Sequence, residues 1–144
     1  MDTEKFVIKQ ISIFSENRPG RLAAIAHALG EEKINILAFS IAEATGFGVV
    51  RALVDHPERA HVKLSSLGFN VAFTDVIAVR MKDQPGGLYE VAKILGDANV
   101  NIEYSYAYSG KEGGILILRV DQVEAAIEKI RNSGATLLER SVFH

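Results

Sequence analysis

Hydrophobic positions change their period along the chain, and each period predicts a different element. Residues 6–14 form an apolar run rich in Ile, Val and Phe, which is typical of a strand. Apolar residues then recur at Leu22, Ile25 and Leu29, the spacing of one face of a helix that Pro19 can begin. The same criteria predict the remaining elements of the first half: strands at 35–42, 49–54 and 69–73, a turn at 46–48, and a helix between Pro57 and Gly68.

The second half of the chain repeats this order. Asp121 is predicted to cap its second helix, with Glu124 in the capping-box position. Segment 71–79 contains neither glycine nor proline, so we expect the last strand of the first half to run almost directly into the next strand. The other predicted elements are strands at 76–81, 102–108, 115–120 and 136–142, a helix starting at Pro85, and a hairpin turn across 109–114.

The repetition is also visible residue by residue. Pro19 matches Pro85, 66 positions later. The same offset, without a gap, aligns Gly20 with Gly86, Leu22 with Leu88, Asn35 with Asn101, Gly48 with Gly114, and Asp55 with Asp121. Such a register indicates a duplicated module. Each copy has the order βαββαβ, which predicts an α+β protein made of two tandem ferredoxin-like sandwiches, with domains at 1–73 and 74–144.

Two short motifs in each copy resemble those of ACT domains. The motifs are Asn17-Arg-Pro-Gly-Arg-Leu22 with Ile34-Asn-Ile36 in the first copy, and Asp83-Gln-Pro-Gly-Gly-Leu88 with Val100-Asn-Ile102 in the second. ACT domains typically bind free amino acids and regulate enzymes of amino-acid metabolism. The resemblance implies two ACT domains packed side by side, with antiparallel sheets and with helices on one face, and a ligand at the seam between them.

The resemblance also assigns candidate ligand-binding residues. Asn17 and Asn35 match the two asparagines that hold the ligand in serine-sensing ACT domains; in the second copy Asn101 matches and Asp83 does not. One implied site joins the loop residues Asn17, Arg18, Pro19, Gly20, Arg21 and Leu22 with Asn101 and the adjacent Ile102. The other joins Asp83, Gln84, Pro85, Gly86, Gly87 and Leu88 with Asn35 and the adjacent Ile36.

The first loop suits a molecule that carries both a carboxylate and an ammonium. Helix N-termini offer unpaired N–H groups and partial positive charge, and Gly20 allows a ligand to approach the N–H groups of Gly20, Arg21 and Leu22. Asn17 can both donate and accept hydrogen bonds. In the second loop Asp83 would repel a carboxylate but could hold an ammonium, and both arginines are missing. We therefore expect unequal sites, of which the first is the better.

Composition argues against several other classes of protein. The chain has 144 residues, of which 48% are hydrophobic and 24% charged, which is typical of a globular protein. A net charge of −2 favours neither nucleic acid nor membrane, and there is no cysteine. No run of about eighteen apolar residues predicts a membrane span. Residues 1–5 do not resemble a signal peptide, so the cytoplasm is the expected location.

No nucleophile–base pair, metal cluster or cofactor loop is recognisable in the sequence. We therefore expect no catalysis, no metal and no cofactor. The predicted function is that of a sensor of a free amino acid, which acts on a partner such as a metabolic enzyme or changes its own assembly. Because ACT sheets usually associate further, a homodimer is expected.

Other interpretations stay open on the sequence alone. The Pro-Gly pairs can mark only a helix start, and Asn35 and Asn101 can simply form a turn before a strand. Tyr104, Tyr106 and Tyr108 alternate along one strand, where they can pack on a sheet face or contact a ligand. The alternative function is a ligand-free interaction module that regulates a partner enzyme.

Overall fold

The computed structural model describes residues 3–44, 46–111 and 113–144. Four residues lie outside this description: Met1, Asp2, Thr45 and Glu112. Met1 and Asp2 belong to the predicted first domain, and Glu112 belongs to the predicted hairpin turn. The helices and strands are β1 (Ile8–Glu16), α1 (Arg21–Glu31), β2 (Ile36–Ala44), β3 (Phe47–Val54), α2 (Pro57–Ser66), β4 (Asn70–Arg80), α3 (Gly87–Asp97), β5 (Ile102–Gly110), β6 (Gly113–Val120) and α4 (Val123–Asn132).

The junction between the two copies is a single strand. β4 merges the two strands that the sequence predicts on either side of the junction, and it runs without interruption from Asn70 to Arg80. The expectation of an almost direct passage is therefore confirmed. The observed order of helices and strands also confirms the two ferredoxin-like repeats of an α+β protein.

Contacts divide the chain into two units, and the chain ends are exchanged between them. The first-copy unit comprises residues Lys9–Thr74 with Phe143–His144, and the second-copy unit comprises Asp75–Val142 with the N-terminal segment up to Ile8. The domain bounds 1–73 and 74–144, which follow the sequence repeat, stay a prediction. Each unit is described by itself.

In the first-copy unit, β3 pairs antiparallel with both β1 and β2. Residues on one face of these strands pack against the apolar stripes of α1 and α2, which recur at helical spacing. Ile25 and Leu29 of α1, and Ala60 and Leu64 of α2, are almost fully buried. The core cluster consists of Ile11, Ile13, Ile25, Ala28, Leu29, Ile34, Val50, Ala52, Val54, Ala60 and Leu64.

In the second-copy unit, β6 pairs antiparallel with both β4 and β5. Val91 and Leu95 of α3, and Ile127 and Ile130 of α4, are buried against this sheet. The core also contains Phe6 from the N-terminal segment, with only 7% of its surface exposed. Residues from opposite ends of the sequence therefore share one core.

The predicted strand at 136–142 is wrong. The described residues show only an isolated antiparallel bridge between Leu137 and Val79, and Arg140–Val142 forms a short 3₁₀ segment. The Arg140 guanidinium donates hydrogen bonds to the carbonyl oxygens of Val7 and Glu4, each at 2.9 Å. These bonds attach the C-terminal segment to the N-terminal one, and the ladder does not continue beyond the bridge.

Both helices that the Pro-Gly pairs precede begin later than predicted. Gly20 and Gly86 are the N-cap residues, with φ of 90° and 89°, and the helices start at Arg21 and Gly87. Glycine adopts this left-handed conformation without the steric cost that a side chain would add. Each proline therefore forms part of the turn before the helix. Among the described residues, no helix is both long and apolar enough to cross a membrane.

Candidate functional site

The loop between β1 and α1 contains Asn17, Arg18, Pro19 and Gly20 of the predicted first site, and Arg21 and Leu22 begin α1. Residues 16–20 are all exposed. Arg18 forms an ion pair with Glu16, with Nε 3.0 Å from Oε2. Asn17 lies against Gly48, since a Cβ on Gly48 would sit 3.1 Å from the Cβ of Asn17. The sequence predicts Gly48 as a turn residue and a repeated position, whereas the structure places it in β3, where its missing side chain makes the room in which Asn17 lies.

Backbone hydrogen bonds decide which amides this loop can offer. The Arg21 N–H donates to the Arg18 carbonyl oxygen at 3.1 Å, so it is already engaged. The helical ladder of α1 begins with the Ala24 N–H, which donates to the Gly20 carbonyl oxygen at 3.0 Å. Among the contacts that the structure describes, the backbone N–H groups of Gly20, Leu22 and Ala23 have no acceptor, so they remain available to a ligand. Sequence reasoning placed Arg21 in this set and missed Ala23, because it placed the helix start at the proline.

The second loop, between β4 and α3, packs more closely on its helix. The Lys82 carbonyl oxygen accepts a hydrogen bond from the Gln84 N–H at 2.9 Å, and the Gly87 N–H donates to the Gln84 carbonyl oxygen at 3.0 Å. A Cβ on Gly87 would overlap the Lys82 carbonyl oxygen. The first copy has Arg21 at the position of Gly87. The two loops therefore share a motif but differ in backbone packing.

The second loop borders an open depression of about 670 Å³. Five of the predicted ligand-binding residues line it: Asp83, Gln84, Pro85, Gly86 and Leu88. Tyr89, which the sequence did not single out, also lines the depression and is 65% exposed. Gly87 lines a different cavity. An exposed aromatic residue directly after the Pro-Gly-x-Leu motif is the signal that could have identified Tyr89.

Asn35 and Asn101 occupy equivalent positions just before β2 and β5. The Asn35 N–H donates to Oδ1 of Asp55 at 2.9 Å, and the Asp55 N–H donates to the Asn35 carbonyl oxygen at 3.1 Å. Asn101 and Asp121 form the same two bonds, at the same distances. The backbones of both asparagines are thus fixed, and both residues are exposed.

These bonds correct the predicted cap of α4. The N-cap residue is Gln122, and its side chain makes no capping hydrogen bond. The Asp121 carboxylate instead accepts a bond from the residue before β5, because Asp121 lies one position too early to cap the helix. Ile36 and Ile102, predicted next to the asparagines, begin β2 and β5 and are half-buried opposite Val54 and Val120.

Three tyrosines follow one another on a face of β5. Tyr104, Tyr106 and Tyr108 pair with Arg119, Ile117 and Ile115 of β6 and are half-buried. Burial raises the pKa of Tyr108 above its usual value of 10.0, so its hydroxyl stays protonated at neutral pH. Cross-strand packing on a sheet face accounts for this placement.

Metal binding finds no support in the described part of the chain. No group of three or more His, Asp or Glu residues is suitably placed there to hold an ion. The first-copy histidine His61 stacks on Phe73, with ring centroids 4.7 Å apart. What the two loops offer is hydrogen-bond donors, amide side chains and a few charges, a chemistry suited to binding.

Comparison with known proteins identifies the family that shares this architecture. A family model described as an ACT domain pair matches residues 6–141. No curated protein sequence matches the chain. Among solved structures, the chain is similar to protein BT0572 from Bacteroides thetaiotaomicron, with 34% identity over 94% of each chain and a TM-score of 0.89.

Two further structures share the fold at lower identity. The regulatory subunit of aspartate kinase from Thermus thermophilus, in its ligand-free form, has 17% identity and a TM-score of 0.64, over 92% of this chain and 97% of that one. The regulatory subunit from Thermus flavus has 15% identity and a TM-score of 0.59, over 88% of this chain and 92% of that one. The family match over nearly the whole sequence and the relative at 34% identity show that the chain belongs to the ACT domain pair family.

Proposed function

We propose that this protein is a non-catalytic regulatory protein that binds a free amino acid at its ACT domains. The observation that carries the proposal is the loop before α1. There an exposed Pro-Gly turn, with Gly20 in the left-handed conformation, leads into the first-turn amides of Leu22 and Ala23, and the same loop holds Asn17 against Gly48. Membership in the ACT domain pair family and the fold shared with regulatory subunits of aspartate kinase support it.

The ligand carboxylate is proposed to accept hydrogen bonds from the amides of the first turn of α1. An anion at a helix N-terminus gains about 0.3–1 kcal/mol when exposed and more when partly buried. In the described contacts the Arg21 guanidinium forms no ion pair, so it adds positive charge near this turn. Arg18 contributes less because Glu16 already neutralises it. Asn17, seated against Gly48, then bridges the carboxylate and the ammonium.

The two loops are proposed to bind with unequal affinity. Asp83 replaces Asn17, and glycine replaces Arg21 as Gly87, so the second loop presents a negative charge where the first presents an amide. A carboxylate is repelled there, whereas an ammonium is attracted. Each loop is proposed to bind its ligand together with the asparagine and isoleucine of the other copy. Asn101 and Ile102 would complete the first site.

Assembly into a homodimer is a further part of the proposal. β2 is an edge strand that pairs with β3, and two of its large apolar side chains, Phe39 and Ile41, are 50% and 43% exposed. A long edge with exposed apolar side chains favours pairing with another chain. The ligand would then act on this assembly or on a partner enzyme.

Thermal melting in the presence of each of the twenty amino acids tests the proposal first. A ligand that binds only the folded protein raises the melting temperature as its concentration rises. We expect at least one amino acid to do so. If none does, the protein is instead a ligand-free interaction module, the alternative function on this fold.

Calorimetry with two matched variants then tests the loop. We expect Asn17→Ala to weaken binding by about tenfold or more, since even one hydrogen bond to a charged group contributes about 1.5–3 kcal/mol. Asp83→Ala, at the equivalent position, should change the affinity less. Equal losses in the two variants would contradict the unequal sites, and no loss in Asn17→Ala would remove the first loop from the binding site.

A further inference from the structure

A second cavity in the second-copy unit lies between the start of α3 and the segment that follows α4. Its volume is about 380 Å³, and it shares only Lys82 with the lining of the loop depression. This volume lies within the range of about 300–1,000 Å³ that is typical of small-molecule sites. The lining is amphipathic, since Val91 and Ile94 are apolar while Arg80 and Glu90 are charged.

The sequence repeat provides an internal comparison for the size of this cavity. Gly68 and Gly134 end equivalent helices with nearly equal φ of 89° and 86°, so the backbones correspond at this point. Three lining residues of the cavity are smaller than their first-copy equivalents: Ser133 replaces Leu67, Ala135 replaces Phe69, and Gly87 replaces Arg21. Near Gly134, smaller side chains on a corresponding backbone therefore leave room that Leu67 and Phe69 would fill. At Gly87 the packing of the loop backbone differs as well.

The same comparison shows that charge accumulates around the space. Three lining residues gain a charge or change its sign relative to the first copy: Arg80 replaces Phe14, Lys82 replaces Glu16, and Glu90 replaces Ala24. Lys82 Nζ lies 3.7 Å from Glu90 Oε2, and these side chains are 67% and 54% exposed. An exposed ion pair of this kind stabilises a fold only slightly, so a ligand carboxylate can take Lys82 from Glu90 at little cost.

The apolar part of the lining indicates that the ligand also has a hydrocarbon portion. Val91 is buried in the core and Ile94 is half-buried beside it, so both form a fixed apolar wall. The Ser133 hydroxyl is already engaged, donating to the Ile130 carbonyl oxygen at 2.6 Å and accepting from the Ala135 N–H at 3.3 Å. A short aliphatic chain complements this wall better than a sugar or a phosphate does.

We infer that this cavity binds a small aliphatic carboxylate, with the carboxylate at Lys82 and Arg80 and the hydrocarbon chain on Val91 and Ile94. Two sources share this chemistry. An aliphatic amino acid would also place its ammonium on Glu90, whereas a simple carboxylic acid would leave Glu90 without a role. The inference is independent of the proposed first loop site, because the residues that would bind the ligand differ. Of the candidate residues of the second loop, Gly87 also lines this cavity.

Heteronuclear NMR with two probes of the same carbon skeleton, leucine and 4-methylpentanoate, tests the inference on the full chain. At millimolar concentration, at least one probe should shift the amides of residues 90–94 and 133–136 in both the wild-type protein and the Asn17→Ala variant. Ser133→Leu and Ala135→Phe, which restore the first-copy side chains, should each weaken this binding by about tenfold or more. Ser65→Leu, on an exposed turn of α2, adds similar bulk elsewhere and should leave it unchanged.

Binding of the two probes to the Glu90→Gln variant distinguishes an amino acid from a simple carboxylic acid as the ligand. A loss for leucine alone identifies an amino acid as the ligand, and equal binding of both probes in this variant identifies a simple carboxylate. Ala135 is partly buried, so Ser133→Leu keeps the test decisive if the phenylalanine variant does not fold. The inference is overturned if neither probe shifts the cavity amides, or if the shifts persist in both Ser133→Leu and Ala135→Phe. Shifts confined to the two loops, at residues 17–23 or 83–89, would also overturn it, while leaving the proposed loop sites intact.

Discussion

At the scale of single residues, Gly87 distinguishes the second loop from the first. The Lys82 carbonyl oxygen occupies the space that a Cβ at this position would need. Because the obstacle is backbone, it cannot move aside as a flexible side chain can. We expect Gly87→Ala to lower the free energy of unfolding by about 1–3 kcal/mol, the usual effect of forcing a methyl group into a packed position. Urea unfolding followed by circular dichroism measures this change.

Gly96→Ala, in the same helix, is the matched control. A Cβ at Gly96 would meet no atom within 4 Å. Alanine has a higher helix propensity than glycine, so this variant should be unchanged or more stable by up to about 1 kcal/mol. Equal destabilisation by both substitutions would show that helix propensity rather than the Lys82 carbonyl controls the outcome.

Single residues also show which parts of the candidate site could be predicted from the sequence. Asn17 and the Pro-Gly turns could be identified because motif and repeat agree. The role of Gly48 could not, since its contact joins Asn17, in the loop after β1, to a residue of β3. Asp55 was seen only as a repeated position, although its carboxylate binds the Asn35 N–H. Side chains that act across strands leave no periodic signal, so their partners emerge only from the fold.

At the scale of elements, the N-terminus of α2 contains a carboxylate with a perturbed titration. A backbone hydrogen bond holds the pKa of Glu58 below its ordinary value of 4.5, with a smaller contribution from the Lys9 ammonium, and partial burial opposes both. Lys9 Nζ lies 3.5 Å from Glu58 Oε1. A depressed pKa in the folded state stabilises the protein above the unfolded pKa. This contribution is lost as the pH falls below about 4.5 and through the folded pKa.

Glu58→Gln should therefore reduce stability at neutral pH and flatten its decline on acidification. The side chain is largely exposed, so screening limits the loss to about 0.5 kcal/mol or less. Unfolding by urea between neutral pH and pH 3 measures it. The control is Glu124→Gln at the equivalent position of α4, where Asp75 stands in place of Lys9. A pH dependence that is unchanged in Glu58→Gln would contradict the assignment.

Element boundaries show where sequence patterns stop being informative. Helical and strand periods located α1 to α4 and β1 to β6, because burial of one face imposes those periods. The starts of α1 and α3 were misplaced because proline fits a helix start as well as it fits a preceding turn. The strand predicted at 136–142 failed for a tertiary reason. Beyond the bridge at Leu137, Arg140 binds the N-terminal segment, a contact between residues far apart in sequence.

At the scale of the whole chain, the ends are integrated into units that the sequence repeat does not assign them to. Phe6 lies in the core of the second-copy unit, and the Arg131 guanidinium lies 5.1 Å from the centroid of its ring. Lys5 pairs with Glu139 at 3.4 Å, next to the bonds that Arg140 makes. The N-terminal segment thus contributes one large side chain and several polar contacts to a core built mainly from residues 75–142.

We expect Phe6→Ala to destabilise the second-copy unit by about 3 kcal/mol, since removing a buried phenylalanine loses its burial and leaves a cavity. Hydrogen exchange should report the loss in α3, α4 and β6, because local opening follows the cooperative unit that contains the missing side chain. The control is Phe47→Ala in β3, where half of the side chain is already exposed and little burial is lost. Exchange that rises first in α1 and α2 of the Phe6 variant would mean that the N-terminal segment supports the first-copy core instead. A loss of protection confined to α3, α4 and β6 would show that the first-copy unit does not depend on Phe6. This agrees with the core cluster of that unit, in which the first of the described residues is Ile11.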